Sequence, residues 1–230
     1  MVYRPQQRVK YRQTARRNSV VAVHAVKRHR PAGKRAVGAE SRRSGTVMPP
    51  ETWHEPTDQL ATDYRIVVDE PGAGYRHVLT PEEIRSRLAM FPAQLLRSLQ
   101  VVHLSRMTRK KKRCPCYGMQ WGNAIYLYPV EDTRIETFFR PPKPAQVIEA
   151  RMYGGRWVQV GRGWQLVWTD DSIRDYYLNN ILIHELGHLL DERNTSYSDR
   201  ERYAEWFAIA HGYRPTRDRG EQRGAVRRHG

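Results

Sequence analysis

The sequence predicts an α+β fold with a mixed or mostly antiparallel sheet and helices on one face. Three observations predict it: short β-forming runs fill the first part of the central region, a capped amphipathic helix follows them, and both chain ends lack apolar periodicity. We therefore expect one domain over 51–213, between basic tails at 1–50 and 214–230. The tails are predicted to be disordered, because they bury too little apolar surface to offset an ordering entropy of about 1–2 kcal/mol per residue.

Positive charge is concentrated in these tails. Residues 1–45 hold 13 Lys and Arg with one acidic residue, and residues 214–230 hold six with two. The remaining 46–213 hold 21 basic and 21 acidic residues, so the formal net charge of +16 belongs to the ends. This distribution predicts that nucleic acid or another polyanion would bind through the tails, separately from any chemistry of the central region.

Composition also indicates the compartment. No apolar stretch reaches the ~18–20 residues that a membrane span needs, and the chain start lacks a secretory pattern. Cys114 and Cys116 are too few for a disulfide framework and are expected to be free thiols, which favours a cytoplasmic location. An Arg-rich, acid-poor start is also typical of an organellar presequence, so that alternative stays open.

The central region begins with a β-α-β pattern. Residues 64–69 and 101–105 are predicted strands, and the sequence Thr80-Pro-Glu-Glu between them predicts the N-cap of a helix. Pro92 is expected to break or kink this helix. Its predicted apolar stripe consists of Ile84, Leu88, Leu95 and Leu99.

Further strands and a second long helix follow. Residues 121–130 are a predicted strand, and 156–160 with 164–169 form a predicted hairpin across Gly-Arg-Gly. Thr169 is expected to cap a helix that runs to about Asp191. The basic run 109–113 is interpreted as a solvated loop between strands.

The long helix contains the sequence His184-Glu-Leu-Gly-His188. Positions i and i+4 share one helix face, so both histidines can offer a nitrogen to one ion, while Glu185 is turned about 100° away. Zinc with three protein ligands keeps a position for water and lowers the pKa of that water to ~7. The motif therefore predicts one Zn²⁺ on His184 and His188, with Glu185 as general base.

The third ligand is expected on a second helix. Glu201 opens the segment E-R-Y-A-E-W-F-A, and it is the predicted ligand. Ser198 and Glu201 could instead form a capping box without metal. Glu205, one turn later, could bind a ligating histidine from outside the ligand set, or be the ligand itself. The metzincin extension is excluded, because Asp191 and Asn194 occupy the positions of its glycine and third histidine.

HELGH followed by E-x-x-A-E-x-F-A resembles the gluzincin metallopeptidases, especially the anthrax lethal factor-like catalytic domains. Ala204, Glu205 and Phe207 match the pattern that flanks Glu201, and the resemblance covers residues 169–210. It implies a zincin-like fold, hydrolysis of peptide bonds and zinc ligation by Glu201. The 12 residues between His188 and Glu201 are fewer than in many gluzincins.

The same resemblance implies two further features. A tyrosine often stabilises the oxyanion in this family, and Tyr197 is the best match in place, with Tyr203 second. Zincins also align the substrate along an exposed sheet edge, for which residues 121–128 are the candidate here.

Two alternatives remain open. The first is a DNA-associated protease resembling the SprT-like group, with His211 as third ligand and the basic tails as the DNA-binding part; 22 residues lie between His188 and His211. The second is a non-catalytic, zinc-stabilised domain that binds nucleic acid or ribosome-like surfaces.

Overall fold

The computed structural model describes residues 49–57, 63–113 and 116–218. Within this part of the chain nine strands form three sheets, and helices alternate with them, which confirms a mixed α+β architecture. Residues 1–48 and 219–230, most of the two predicted tails, lie outside the described residues. No described helix has the length and apolar character that crossing a membrane requires.

The strands and helices have short, well-defined bounds. The strands are β1 Arg65–Val68, β2 Tyr75–Arg76, β3 Val101–Leu104, β4 Gly118–Trp121, β5 Ala124–Leu127, β6 Val130–Glu131, β7 Ile135–Phe138, β8 Arg156–Val160 and β9 Gly163–Val167. The helices are α1 Pro81–Leu88, α2 Ala93–Leu96, α3 Arg109–Arg113, α4 Pro144–Met152, α5 Asp170–Tyr176, α6 Leu182–Leu190 and α7 Tyr197–Ala208.

Helix α1 begins where the sequence predicts. Thr80 Oγ1 accepts from the Glu83 amide at 3.2 Å, and Glu83 Oε2 accepts from the Thr80 amide at 2.8 Å, so the capping box is confirmed. Pro92 separates α1 from α2, because a proline lacks the amide that would continue the helix.

The main sheet has the order β1-β3-β5-β4. Strands β1, β3 and β5 are parallel, and β4 alone is antiparallel at one edge, so this sheet is mixed but not mostly antiparallel. One of its faces, through Val102 and Ile125, joins the large core that includes Ile181 and Leu186. Helix α6 and the segment that precedes it therefore pack on that face.

The predicted strand over 121–130 is wrong in one respect. Gly122, with φ +58°, makes a tight turn that divides the segment into β4 and β5. Strand β5 lies between β3 and β4, so only Trp121 of the predicted edge 121–128 lies in the edge strand. Dense β formers mark β5 because all four of its residues are buried, whereas the edge position belongs to β4.

A small third sheet has the order β7-β9-β8. Its β8–β9 pair is the predicted hairpin, turned at Gly161 with φ +58°. The basic run at 109–113, interpreted from sequence as a loop, forms helix α3 instead. Lys111 is buried there, with Nζ 4.0 Å from the centroid of the Tyr128 ring and 3.4 Å from Cys116 Sγ, because its cation gains the ring as a partner. Cys116 is a buried free thiol, and burial raises its pKa to about 11, while Cys114 lies outside the described residues.

The predicted helix from Thr169 to about Asp191 is interrupted. Thr169 Oγ1 accepts from the Ser172 amide at 3.1 Å, which confirms the cap. A π-helical segment, Tyr177–Ile181, then separates α5 from α6. The widened turn faces a second π-helical segment, Ile209–Tyr213, so closely that a Cβ on Gly212 would lie 1.9 Å from Asn179 O.

The folded body extends beyond the predicted boundary at 213. Residues 214–218 are helical, and Arg217 Nη2 donates to Asp175 Oδ2 at 2.6 Å and to Met152 O at 3.1 Å. The first residues of the predicted C-terminal tail therefore pack on α4 and α5. The sequence could not show this, because the contact joins residues 42 and 65 positions apart.

Candidate metal centre

Helix α6 places three polar side chains in an otherwise apolar helix. His184, Glu185 and His188 are 5%, 0% and 1% exposed, and their helix neighbours Leu182 and Leu186 are fully buried. Buried imidazole and carboxylate groups are costly unless they are paired or bind a metal. This helix therefore concentrates groups that require a shared partner.

The donors of His184, His188 and Glu201 converge. The two histidine Nε2 atoms lie 3.0 Å apart, and Glu201 reaches each of them at 3.6 Å, Oε2 towards His184 and Oε1 towards His188. One ligand atom of each residue lies within 4.8 Å of the other two. The structure thus brings together the three residues that the sequence predicted as ligands.

These donors fit a divalent metal. Ligands at 2.0–2.1 Å around a tetrahedral ion are separated by about 3.3–3.4 Å, and the observed distances of 3.0 and 3.6 Å bracket that value. Glu201 Oε1 is buried and accepts no hydrogen bond from any described residue. An oxygen left in this state is expected to have a ligand. The group can therefore hold a metal ion.

His188 is in the form that binds a metal rather than the form that makes an ion pair. Burial, with the neighbouring His184 and Arg200, lowers the pKa of His188 to about 2. His188 is therefore neutral at physiological pH, which is the form that binds a metal. Its 3.6 Å approach to Glu201 is accordingly not a salt bridge of a charged imidazole.

A tight connection brings α7 back to α6. Asp191 Oδ1 accepts from the Asn194 amide at 3.1 Å, and Ser196 Oγ accepts from the Asp199 amide at 3.1 Å to cap α7. The alternative capping box of Ser198 with Glu201 is therefore wrong, because Ser198 already lies inside the helix. Since Ser196 is the cap, Glu201 can face the histidines.

Arg200 fastens the two helices at this point. Its Nη1 donates to Asp191 O and its Nη2 to His188 O, both at 3.0 Å. These carbonyls belong to the end of α6, where no amide of the helix remains to bond them. Arg200, which precedes Glu201 on α7, therefore provides hydrogen-bond donors for the last carbonyls of α6.

Close approach of the helices depends on Gly187, the central glycine of the motif. A Cβ at this position would lie 3.1 Å from Ala204 Cα and 3.1 Å from Phe207 Cβ. Both distances are tighter than ordinary contacts, so a larger residue would move α7 outwards. Gly187 and Ala204 thus allow Glu201 to reach the histidines.

Glu185 points towards the sheet, where β4 lies over it. A Cβ on Gly118, the first residue of β4, would lie 2.7 Å from Ile181 Cγ2 and 2.9 Å from Glu185 Oε1. The glycine therefore provides the space that the carboxylate occupies. Glu185 therefore packs against the edge strand β4 from the helix that also holds His184 and His188.

Of the two candidate tyrosines, Tyr197 interacts with Glu201, whereas the ring of Tyr203 packs against other side chains. Tyr197 is half exposed; burial, repulsion from Glu201 and a hydrogen bond with Glu201 raise its pKa to about 12. The phenol therefore keeps its proton. Tyr203 stacks on Phe207, with ring centroids 6.1 Å apart, and Arg193 lies over the ring, so its role is packing.

Two other predicted ligands lie outside the donor group. Glu205 is exposed, and within the described residues it makes no hydrogen bond to either histidine. The partial burial of its carboxyl raises its pKa, and the smaller effect of His184 lowers it. His211 packs its ring on Phe207, with centroids 4.5 Å apart, and its carbonyl accepts from Arg87. The prediction of His211 as third ligand is therefore wrong, because its side chain is used in an aromatic cluster.

Sequence reasoning missed Gly118 and Arg200. Gly118 precedes a predicted strand and has no motif around it, and Arg200 is one of 40 basic residues. Gly187 had a signal, its place inside the motif between the two histidines.

Comparison with known proteins gives no match: no protein-family model, no curated protein and no solved structure matches the chain. The chemistry of the site is therefore inferred from its own residues.

Proposed function

We propose that the protein is a zinc-dependent metallopeptidase of the zincin type, which hydrolyses peptide bonds at the centre formed by His184, His188 and Glu201. The observation that carries the proposal is the convergence of two buried imidazoles and one carboxylate, with Glu185 buried on the same helix. Two nitrogens and one oxygen at these distances suit zinc better than the oxygen-preferring Mg²⁺ or Ca²⁺. When bound, zinc would polarise the scissile carbonyl and lower the pKa of the attacking water.

Glu185 is the proposed general base. It is held by the same helix as the two histidines but turned towards β4, so it does not compete for the ligand position. In this place the carboxylate takes a proton from the attacking water and gives it to the leaving amine as the C–N bond breaks. Exclusion of bulk solvent from Glu185 strengthens its interactions with the attacking water and with the leaving amine.

Tyr197 is the proposed donor to the oxyanion. Its hydroxyl lies beside Glu201, it is half exposed at the start of α7, and its raised pKa keeps the proton available. A donor that acts only on the charge developing in the transition state contributes about 10²–10³-fold to the rate.

The substrate is proposed to bind as an extended peptide along β4. Among the described strands β4 pairs only with β5, so its other edge can accept a further strand. Because Gly118 lies on Glu185, a peptide paired with β4 would pass next to the general base. The available edge thus shares only Trp121 with the 121–128 segment that the sequence indicated.

The test is substitution of the base without the ligands. We expect purified protein to contain one zinc per chain and to cleave a peptide library, and Glu185→Gln to keep the zinc while losing at least about 10²-fold in kcat. The matched control is Glu82→Gln on α1, an exposed carboxylate distant in sequence from the motif, which should leave the zinc content and kcat unchanged. Equal activity in the Glu185 variant would exclude the mechanism. Full zinc content with no cleavage of any peptide would instead support the non-catalytic zinc domain.

A further inference from the structure

Residues 49–57, called the strap here, cross the face of the main sheet opposite α6. At one end Glu51 accepts from Thr108 Oγ1 at 2.5 Å. At the other end Thr57 and the side chain of Gln100 exchange hydrogen bonds of 2.8–3.0 Å. The strap is thus attached at both ends and continues directly from the N-terminal tail.

In its middle, His54 completes a chain of polar groups. Arg65 Nη2 lies 3.3 Å from His54 Nδ1, His54 Nε2 lies 3.1 Å from His103 Nδ1, and His103 Nε2 lies 3.2 Å from Asp69 Oδ2. His103 is fully buried in β3, and His54 is only partly covered. The strap is therefore joined to β1 and β3 through a row of side chains.

Only one proton arrangement satisfies the whole row with neutral rings. Arg65 can only donate, so His54 Nδ1 must accept and His54 Nε2 must carry the hydrogen. His103 Nδ1 then accepts from His54, so the hydrogen of a neutral His103 is on Nε2, which faces Asp69 Oδ2 at 3.2 Å. An extra proton on either ring would place a second hydrogen between Arg65 and His54 or between the two rings. Neutral histidines are thus required for the row to form.

The remaining groups around the row do not relieve such a charge. His54 stacks on the Tyr126 ring at 5.8 Å, and its amide donates to Tyr126 Oη. His77 donates its Nε2 hydrogen to the Asp69 carbonyl and opposes a charge on His103. Burial, then the neighbouring His103 and Arg65, lower the pKa of His54; burial lowers the pKa of His103 despite Asp69.

We propose that the strap is an acid-released latch, closed when His54 and His103 are neutral and opened when they are protonated. A histidine with a lower pKa in the closed state than in the open state binds fewer protons when closed. The closed state is therefore fully favoured above the ordinary histidine pKa of ~6.5 and is lost as pH falls below it. Each proton taken up shifts the ratio of open to closed strap by up to about tenfold per pH unit.

Release of the strap would remove contacts with the edge strand β4 and with the β4–β5 turn. Trp53 packs edge-on against Trp121 of β4, with centroids 6.1 Å apart, and Pro56 Cγ lies 3.0 Å from the place of a Cβ on Gly122. The strap thus braces the β4–β5 turn from behind. An open strap leaves this turn, and the β4 edge next to Glu185, with fewer contacts.

Hydrogen exchange of the full zinc-loaded chain tests the latch without reference to catalysis. Protection of peptides covering 49–57 and the β4–β5 turn is measured from pH 7.5 to 5, corrected for intrinsic exchange rates. We expect wild-type protection to fall about tenfold or more per pH unit below 6.5. His54→Gln, which leaves only His103 of the row to titrate, should show a smaller pH dependence than wild type, and the control His211→Gln should behave as wild type. Unchanged wild-type protection, or the same pH dependence in His54→Gln, would overturn the proposal.

A second measurement covers the case in which His54→Gln opens the strap at every pH. Imidazole ¹⁵N shifts of wild-type protein at pH 7.5 should show the Nε2–H tautomer for both His54 and His103. Both rings should titrate below 6.5. A titration at or above 6.5, or the opposite tautomer on either ring, contradicts the latch. Either result is independent of whether the protein cleaves peptides.

Discussion

Gly118 of the edge strand lies directly against Glu185 of the ligand helix. A Cβ built on Gly118 would be 2.9 Å from Glu185 Oε1 and 3.0 Å from Glu185 Cγ. Cβ atoms do not approach other atoms so closely in folded proteins. Glu185, the proposed base, and β4, the strand proposed to pair with the substrate, are therefore in contact only because position 118 has no side chain. The strand register and the orientation of the carboxylate are therefore coupled.

Gly118→Ala is accordingly expected to displace Glu185 and to reduce kcat by about 10²-fold, the effect of a misplacement of roughly 1 Å. Zinc content should not change, because the three atoms nearest to the added methyl group belong to Ile181 and Glu185, which are not among the proposed ligands. Steady-state kinetics with metal analysis measures both quantities. Gly163→Ala in β9, a strand of a different sheet, is the control; its Cβ would also be crowded, though less tightly, at 3.1 Å from Phe138 O. Equal losses of kcat in the two variants would show a general effect of strand crowding.

Gly187→Ala is expected to separate α6 from α7. On an exposed helix this change would stabilise the protein by about 1 kcal/mol. Here the new Cβ would lie 3.1 Å from Ala204 Cα, and overpacking of this kind costs about 1–3 kcal/mol. We therefore expect a lower Tm in metal-free protein and a weaker affinity for zinc, because Glu201 moves away from the histidines. A raised Tm with unchanged zinc affinity would show that the helices are not in close contact.

Local sequence signals were sufficient to predict most of the site, but they did not predict the non-local pairing of the strands. The helix caps at Thr80 and Thr169 and the turn of the β8–β9 hairpin depend on neighbours within a few residues, so composition could indicate them. His184 and His188 share a helix face by spacing alone. Which strand forms the sheet edge depends on pairing between β5 and both of its neighbours, which the alternation of side chains does not encode.

The third ligand shows both situations. Glu201 was predicted from the pattern around it, and the structure places it among the histidines. Its competing role in a capping box with Ser198 could not be excluded from sequence, because Ser196 and Ser198 are both good caps and differ only in register. Arg200, which bonds both Asp191 O and His188 O, acts across a turn whose shape the sequence does not specify.

Glu201→Gln tests the ligand directly. Groups that only support a metal ligand change affinity by about 10–100-fold, so loss of the ligand charge should weaken zinc binding by at least about 100-fold. Competition with a chromophoric chelator measures the affinity. Glu192→Gln, an exposed carboxylate in the turn between the helices, is the control and should bind zinc as wild type does. Equal affinity in both variants would remove Glu201 from the ligand set.

Acid should destabilise the metal-free protein partly through His188. The pKa of His188 is lowered to about 2 in the native state, against ~6.5 when unfolded. The unfolded state therefore binds a proton that the native state does not, and stability falls as pH drops below 6.5, by up to about 1.4 kcal/mol per unit. Urea unfolding between pH 7.5 and 5 measures this slope. His188→Asn removes the contribution while leaving those of His54 and His103, so the difference between variant and wild type isolates it; parallel curves would contradict the assignment.

Tyr197→Phe separates a hydroxyl that acts on the transition state from one that only packs. Because the phenol is half exposed and lies beside Glu201, its loss should leave the fold and KM nearly unchanged and lower kcat by about 10²-fold. Tyr203→Phe is the matched control, since that ring stacks on Phe207 and should retain full kcat. With its pKa raised to about 12, Tyr197 is protonated throughout the alkaline range, so the wild-type rate should show no loss of this donor up to about pH 10. A variant with normal kcat and raised KM would mean that Tyr197 binds the substrate in its ground state and that the oxyanion is stabilised by another donor.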